Sequence, residues 1–285
     1  MSIQHIIGAA FLAAGIIYAV SILRDALRDR RSFALERGSL RGTMVAESIV
    51  YFLCTIGISD FVMNTIVVRK LKLADPETLP DCLITSGIVP GAFIAFLYLR
   101  NAPPVDTVTL LVFMVTLAIG SFFGSRAVGK MDGEVIRKAL VILLIAAVAA
   151  MVIRMILSSG APGTATALTG WKLAVMGILT LIFGFTNMLG IPAKPFTTTV
   201  LMLLGMSPIA VLTLLLGSVP ISVVTGGINV VRRRRYNKKL AVSAVTAGCV
   251  TAFIGTMLAI SINATVLNFL LIGVILIAVI TLIKK

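Results

Sequence analysis

Two charged residues, Asp60 and Lys194, lie deep inside apolar segments of this sequence and are its first candidates for chemistry. Asp60 belongs to the stretch GISDFVMNT, and Lys194 belongs to GFTNMLGIPAKPFTTT. A charge at membrane depth costs about 3 kcal/mol on insertion scales, so such residues usually face a cavity or a partner. A carboxyl group placed there could take up and release a proton, and an ammonium group could bind an anion.

Polar side chains and prolines surround both charges. Because proline suits the first turn of a helix, Pro192 and Pro195 predict a half-helix that begins near residues 192–196 and runs to Gly205. Its free N–H groups would face the membrane interior and favour an anion. The residues that could bind an anion are Ser59, Asn64, Thr65, Thr186, Asn187, Lys194, Thr197 and Thr198, and Asp60 is the candidate proton carrier.

Each of these residue types also has a purely structural use. Asp60 could cap the helix that follows it, or pair with Lys194. A threonine hydroxyl in a helix commonly bonds to the carbonyl of the preceding turn. Glu47 is expected just inside the first broken segment, which leaves Asp60 as the acidic residue predicted to lie deepest.

The composition decides which elements must position these residues. The chain is 59% hydrophobic and 13% charged, with a mean hydropathy of +1.08. A soluble domain of 285 residues could not bury so much apolar surface. Runs such as Ile6–Leu23 and Phe269–Ile283 approach the ~20 residues that span a bilayer. The backbone in lipid must bond to itself, so we predict an all-α polytopic protein of the cell (cytoplasmic) membrane.

Several classes of function are disfavoured by what the sequence contains. The net charge of +14 lies in loops, the usual topological signal of a membrane protein, and does not indicate nucleic acid. Cys54, Cys82 and Cys249 stand apart, and His5 is the one histidine, so neither a metal nor another cofactor is expected. An intramembrane aspartyl enzyme would need two close carboxylates, and we expect no enzymatic activity.

A weak internal repeat divides the chain. Gly57–Asp60 resembles Gly184–Asn187 in its order of small, apolar, hydroxyl and carboxyl or amide residues, and Gly120-x-x-x-Gly124 resembles Thr251-x-x-x-Gly255. Internal repeats are common in transporters, where the binding site lies at the repeat interface. The predicted organisation is an N-terminal helix and basic cytoplasmic loop (1–42), a first repeat (43–158) and a second repeat (171–285).

Each repeat is expected to hold a broken segment and three spans. The broken segments are roughly 43–72 and 172–205, and the spans are roughly 79–99, 105–127, 135–157, 207–230, 240–260 and 264–283. Pro90-Gly91 and Gly217–Pro220 interrupt the span after each broken segment. Gly120, Gly124 and Gly255 are expected to allow close helix packing.

The Lys and Arg residues indicate how the broken segments meet the membrane. If both segments are re-entrant hairpins, the repeats are inverted and 21 of the 25 basic residues face the cytoplasm; if both cross fully, 17 do. The positive-inside bias therefore favours inverted repeats, each a re-entrant hairpin followed by three transmembrane helices. A full crossing stays open as the alternative.

The second half resembles the TauE/SafE family of sulfite and organosulfonate transporters. The residues that carry the resemblance are Gly184, Gly190, Gly205-Met206-Ser207-Pro208, Ala210 and Thr213, together with Gly57–Asp60 in the first half. The family often has a Gly-Gly-Gly run at each hairpin tip. This sequence instead has Phe61–Asn64 and Ile191–Lys194, which leaves open a remodelled site and a substrate other than sulfite.

The resemblance implies secondary transport of a small anion, such as sulfite, an organosulfonate or a related organic acid. Rocking of one repeat against the other would give alternating access to a site between the hairpin tips, with membrane lipid around the protein. Proton uptake by Asp60 would couple transport to the proton gradient. The alternatives are a passive anion channel and a membrane scaffold that transports nothing. The sequence leaves the oligomeric state undetermined.

Overall fold

The computed structural model describes residues 2–75, 78–127, 142, 145, 163–188 and 194–283, and most of these residues are helical. The helices are α1 (Ile3–Arg28), α2 (Arg30–Leu35), α3 (Leu40–Cys54), α4 (Asp60–Lys70), α5 (Leu79–Asn101), α6 (Thr107–Ala127), α7 (Trp171–Met188), α8 (Lys194–Leu203), α9 (Pro208–Ser218), α10 (Pro220–Arg233), α11 (Lys238–Ser243), α12 (Cys249–Ser261) and α13 (Ala264–Ile283). A π-helical turn, Ala244–Gly248, joins α11 to α12.

In the described part of the chain, four helical segments are long and apolar enough to cross a membrane. They are Ile3–Arg28, Leu79–Asn101, Thr107–Gly124 and Lys238–Ser261. Shorter apolar helices cover Trp171–Asn187, Pro208–Val223 and Ala264–Gly273. These helices confirm the prediction of an all-helical protein with several membrane-spanning segments. The predicted span at 135–157 lies almost wholly outside the described residues.

The break after α3 and the end of α8 each have a local cause in the sequence. After α3, Gly57 adopts a φ of +94°, and the Ile58 N–H bonds back to the Leu53 carbonyl at 3.4 Å. After α8, Gly205 adopts a φ of +98°. Glycine favours this left-handed conformation because it has no Cβ, and it is the common terminator of α-helices. The first break is therefore confirmed between α3 and α4, whereas the predicted second break includes residues 189–193, which lie outside the described part.

The two predicted interruptions of the following spans differ from each other. The second exists, because α9 ends at Ser218 and α10 begins at Pro220. The first does not, because α5 continues through Pro90. A proline cannot donate to the carbonyl four residues earlier, which here belongs to Ser86. The Tyr51 hydroxyl donates to that carbonyl at 2.6 Å, so the helix continues without leaving the Ser86 oxygen unsatisfied.

The chain forms two compact units, each assembled from both halves of the sequence. Unit 1 contains Met1–Asn101 and Val219–Ala259, and unit 2 contains Ala102–Ser218 and Ile260–Lys285. In unit 1, α1 packs along α5, where Gly15 faces the Ala92 methyl group, and α3 packs against α11 and the π-helical turn. In unit 2, α6 packs along α7, and α9 contacts α6, α8 and α13.

Unit 1 contains a polar cluster where the end of α1 meets the start of α11. Tyr236 donates from its hydroxyl to Asp25 at 3.0 Å, and Arg234 forms an ion pair with the same carboxylate at 3.2 Å. Lys238 pairs with Asp29 at 3.1 Å. These contacts hold the loop between α10 and α11 against the end of α1, although about 200 residues separate the two segments in sequence.

Unit 2 is held together by an unusually close contact between two helices. A Cβ atom added to Gly120, Gly124 or Gly184 would overlap backbone atoms of the facing helix, which are those of Leu181, Phe185 and Leu117 respectively. The structure thus confirms that Gly120 and Gly124 permit close packing, and it adds Gly184 as their counterpart on α7.

Candidate functional site

The first turns of α4 hold four of the predicted site residues in unit 1. Ser59 occupies the N-cap position but makes no capping side-chain bond, and Asp60 is the first helical residue. A carboxylate is favourable there because the helix dipole is positive at this end. The Asp60 carboxylate lies against Gly87 of α5, since a Cβ on Gly87 would lie 3.4 Å from Asp60 Oδ2. Asn64 is one turn further along and is buried.

Asn64 belongs to a buried hydrogen-bond network with two other side chains. Its amide nitrogen donates to the Tyr51 hydroxyl at 3.3 Å and to Ser86 Oγ at 3.2 Å. The Tyr51 hydroxyl in turn donates to the Ser86 carbonyl. One side chain from each of α3, α4 and α5 thus meets at a polar centre inside an otherwise apolar unit.

Glu47 is the functional candidate that the sequence analysis missed. Its side chain is completely buried, and neither carboxylate oxygen has a hydrogen-bond partner. Asn64 faces it, and the charge of Asp60 acts on it. The expectation that Asp60 is the deepest acidic residue is therefore wrong for burial inside the protein, because Asp60 is half-buried. The signal was Glu47 in the apolar run MVAESIVYFL, with Tyr51 four residues later on the same helix face.

The second hairpin places the other predicted residues in unit 2. Thr186 and Asn187 lie in the last turn of α7, and Lys194 begins α8. Lys194 is only 6% exposed, although its ammonium group carries a charge. Thr197 and Thr198 follow one turn later and are also buried. Helix α8 covers Lys194–Leu203 of the half-helix predicted from Pro192 and Pro195, and residues 189–193 before it lie outside the described part.

The predicted threonines make local hydrogen bonds. The hydroxyls of Thr65, Thr186 and Thr198 each donate to the carbonyl four residues earlier, at 2.7, 2.9 and 2.9 Å. Their hydrogens are therefore in use in this conformation, as expected for the structural alternative. Binding an anion through them would require the hydroxyls to rotate, so their role as anion donors stays a prediction.

The predicted site residues are thus brought together in two groups. Asp60 and its neighbours belong to unit 1, and Lys194 and its neighbours belong to unit 2. The prediction that the two hairpin tips flank one site stays a prediction. Within the described ranges, no group of three His, Cys, Asp or Glu residues is placed to hold a metal ion.

A cavity of about 630 Å³ lies elsewhere in unit 1. It is lined by Thr78, Pro80, Asp81, Arg233 and Arg235, next to the arginine-rich end of α10. None of the predicted site residues lines it.

Comparison with protein families gives a match to the family described as Sulfite exporter TauE/SafE, over residues 80–282. No curated protein and no solved structure matches the chain. The matched range includes α5, the second hairpin and the helices after it. It begins after the first hairpin, so Glu47 and Asp60 lie outside it.

Proposed function

This chain belongs to the sulfite exporter TauE/SafE family, and on that premise we propose that it is a secondary transporter of a small anion in the cytoplasmic membrane. The family consists of membrane transporters, and the candidate spans fit a multi-pass protein. The proposed substrates are sulfite, an organosulfonate or a related organic acid anion. Transport would proceed by alternating access.

Lys194 is the observation that carries the choice of an anion. A positively charged group at the start of a helix favours a negatively charged ligand. Lys194 begins a half-helix, so the partial positive charge of the helix start adds to its own charge. Thr197 lies one turn further along α8 and is buried, and Asn187 in the last turn of α7 is the other polar residue that we assign to this site. We propose that this end of α8 binds the anion.

The proposed inverted repeat is supported by equivalent packing in the two halves. In unit 2, Gly120 and Gly124 of the first half pack on α7, the first arm of the second hairpin. In unit 1, Gly255 of the second half packs on α3, the first arm of the first hairpin, near Phe52 and Thr55. Gly124 and Gly255, which match in sequence, therefore make equivalent contacts. Each packs on the first arm of the hairpin in the other half of the sequence.

The lengths of the second arms support re-entrant hairpins. Helix α4 has 11 residues and α8 has 10. At about 1.5 Å per residue each is roughly 15 Å long, which is about half of the ~30 Å hydrocarbon core. Neither arm alone could cross the membrane. Helix α7, with 18 residues, is close to a full span. The support that helix length gives to re-entrant hairpins therefore comes from the second arms, α4 and α8.

The test is transport by the full chain in proteoliposomes, with sulfite, sulfonates and carboxylates as labelled substrates. Loss of one charge-assisted hydrogen bond costs about 1.5–3 kcal/mol, so K194Q should weaken anion affinity by roughly 10- to 100-fold. The matched control is K70Q, because Lys70 is an exposed lysine at the end of α4. Undiminished affinity in K194Q would remove Lys194 from the site.

The two rival functions give different results in the same preparation. A passive channel would show conductance without saturable exchange. A scaffold would show no flux and no thermal stabilisation by any of the anions. The coupling role that we propose for Asp60 fails if D60N transports with an unchanged response to a pH gradient.

A further inference from the structure

The starting observation is a buried carboxyl group without a hydrogen-bond partner. Glu47 lies on the inner face of α3 and is 0% exposed, and both of its side-chain oxygens lack a partner among the described residues. The Asn64 side-chain oxygen, also buried, lacks a partner as well. Taking an ionised carboxylate out of water without compensation costs several kcal/mol. A neutral or cation-bound form of Glu47 avoids that cost.

The surrounding network has no donor left for these oxygens. The Tyr51 hydroxyl donates to the Ser86 carbonyl, and the Ser86 hydroxyl donates to the Leu83 carbonyl at 3.2 Å. Both hydrogens of the Asn64 amide are used, one toward Tyr51 and one toward Ser86. A hydroxyl has one hydrogen and an amide has two, so the Asn64 amide, which also lies close enough to Glu47 to act on it, cannot serve Tyr51, Ser86 and Glu47 together. Three acceptor oxygens remain, two on Glu47 and one on Asn64.

The charged groups near Glu47 also favour a bound proton or cation. Asp60 adds a second negative charge that acts on Glu47. Lys238 and Lys239 are bound elsewhere, to Asp29 and to the Glu36 carbonyl. The titratable groups of α3 and of the elements around it are Arg41, Tyr51, Cys54, Asp60, Arg69, Lys70, Asp81, Cys82, Tyr98, Arg100, Lys238, Lys239 and Cys249.

We infer that Glu47 is a proton-binding site in unit 1, with Asn64 as the acceptor for the proton that Glu47 carries. A proton on Glu47 provides a donor for the Asn64 oxygen, and it removes the buried charge at the same time. Sodium is the other monovalent cation of suitable chemistry. It normally requires more oxygen ligands than the three that are unpartnered here, so the proton is favoured.

The inference deepens the proposed function and rests on it only for the coupling of this proton to transport. Proton binding itself is measurable without any substrate. The purified full chain is unfolded by heat across about pH 5–9, as wild type and as E47Q. A proton held in the folded state and released in the unfolded state changes the unfolding equilibrium about tenfold per pH unit. Wild type should therefore lose stability more steeply than E47Q as the pH rises, and the loss of the same sign that the raised pKa of Glu36 contributes should be equal in both.

Three further variants and one spectroscopic measurement make the test specific. D75N is the matched control, because Asp75 is an exposed carboxylate in the same unit, paired with Arg37 at 2.7 Å; it should keep the wild-type slope. E47D keeps a carboxyl group and should also keep the wild-type slope of stability against pH. N64L should make this slope smaller. Infrared spectra of wild type at neutral pH should show a protonated carboxyl band that E47Q lacks. This last measurement needs no unfolding.

Equal slopes for wild type and E47Q, or the absence of the carboxyl band, would overturn the proposal. Stabilisation of wild type, but not of E47Q, by Na⁺ at fixed pH would replace the proton with sodium and also overturn it. If E47Q has a smaller slope than wild type while no anion is transported, the proton site stands and the transport function falls. If anions are transported and E47Q has the same slope as wild type, the transport function stands and the proton site falls.

Discussion

Replacing Gly184 by alanine should push α6 and α7 of unit 2 apart. A Cβ at this position would lie 2.8 Å from the Ser121 nitrogen and 3.1 Å from the Leu117 carbonyl carbon, and it would overlap the Leu117 oxygen. These are backbone atoms of a regular helix and cannot rotate away. The helices must therefore separate by about 1 Å, and a gap of that size forfeits a quarter to a half of each contact's attraction.

The magnitude follows from two opposing effects. Overpacking of this kind costs about 1–3 kcal/mol, whereas replacing a glycine inside a helix by alanine gains about 0.5–1 kcal/mol. Gly177 lies on the same helix, and a Cβ there would meet only the Thr116 and Val112 methyl groups, at 3.6 and 3.7 Å. G177A thus gains the propensity without the clash, and should be more stable than G184A by about 1–3 kcal/mol.

The double variant tests the mechanism. Gly120 lies on α6 and makes the reciprocal contact with Leu181 of α7. Once one alanine has separated the helices, the second costs less, so G120A/G184A should lose less stability than the sum of the two single variants. The assay is the fraction of purified protein that stays monodisperse in size-exclusion chromatography after heating. Additive losses, or G184A at least as stable as G177A, would refute the reasoning.

Two further predictions concern unit 1. Y51F should destabilise more than Y98F, by roughly 1 kcal/mol in a thermal-shift series, because the Tyr51 hydroxyl serves two buried groups and the Tyr98 hydroxyl serves one; equal losses would contradict the network around Asn64. Outside the spans, hydrogen bonds from the Ser32 N–H and from Lys238 hold the pKa of Asp29 below its ordinary value of 3.8. A lowered pKa stabilises the fold above the unfolded-state value, and this contribution is lost as the pH falls through the folded-state value. In D29N, the melting temperature should therefore fall less at low pH than in wild type. An equal fall in both proteins would contradict this.

Most of the helical framework could be predicted from the sequence, because its causes are local. Hydropathy predicted the spans that α1, α5, α6 and the segment Lys238–Ser261 provide, since a backbone in lipid must bond to itself within one segment. Gly57 predicted the break after α3 because a left-handed residue favours glycine wherever it occurs. Pro192 and Pro195 predicted a helix in this region for a similarly local reason, and α8 covers Lys194–Leu203.

The polar interior of unit 1 could be predicted only in part. Asn64 was identified from its residue type at the first hairpin. Glu47 and its neighbour Tyr51 were not, because hydropathy places a residue along a helix but does not say which neighbouring helix covers it. Pro90 was expected to interrupt α5, and the sequence gives no sign that a hydroxyl 39 residues earlier, on Tyr51, meets the carbonyl that the proline frees.

The amino-acid sequence by itself determined that this protein is helical, apolar and interrupted at two hairpins, because those properties depend on neighbours along the chain. The tertiary structure decided which helices meet. It joined α6 of the first half to α7 of the second, brought Asp25 to Tyr236, and buried Glu47 in unit 1 together with the Asn64 side-chain oxygen, which also lacks a donor. Such contacts depend on shape complementarity between distant segments, and a single sequence does not display that directly.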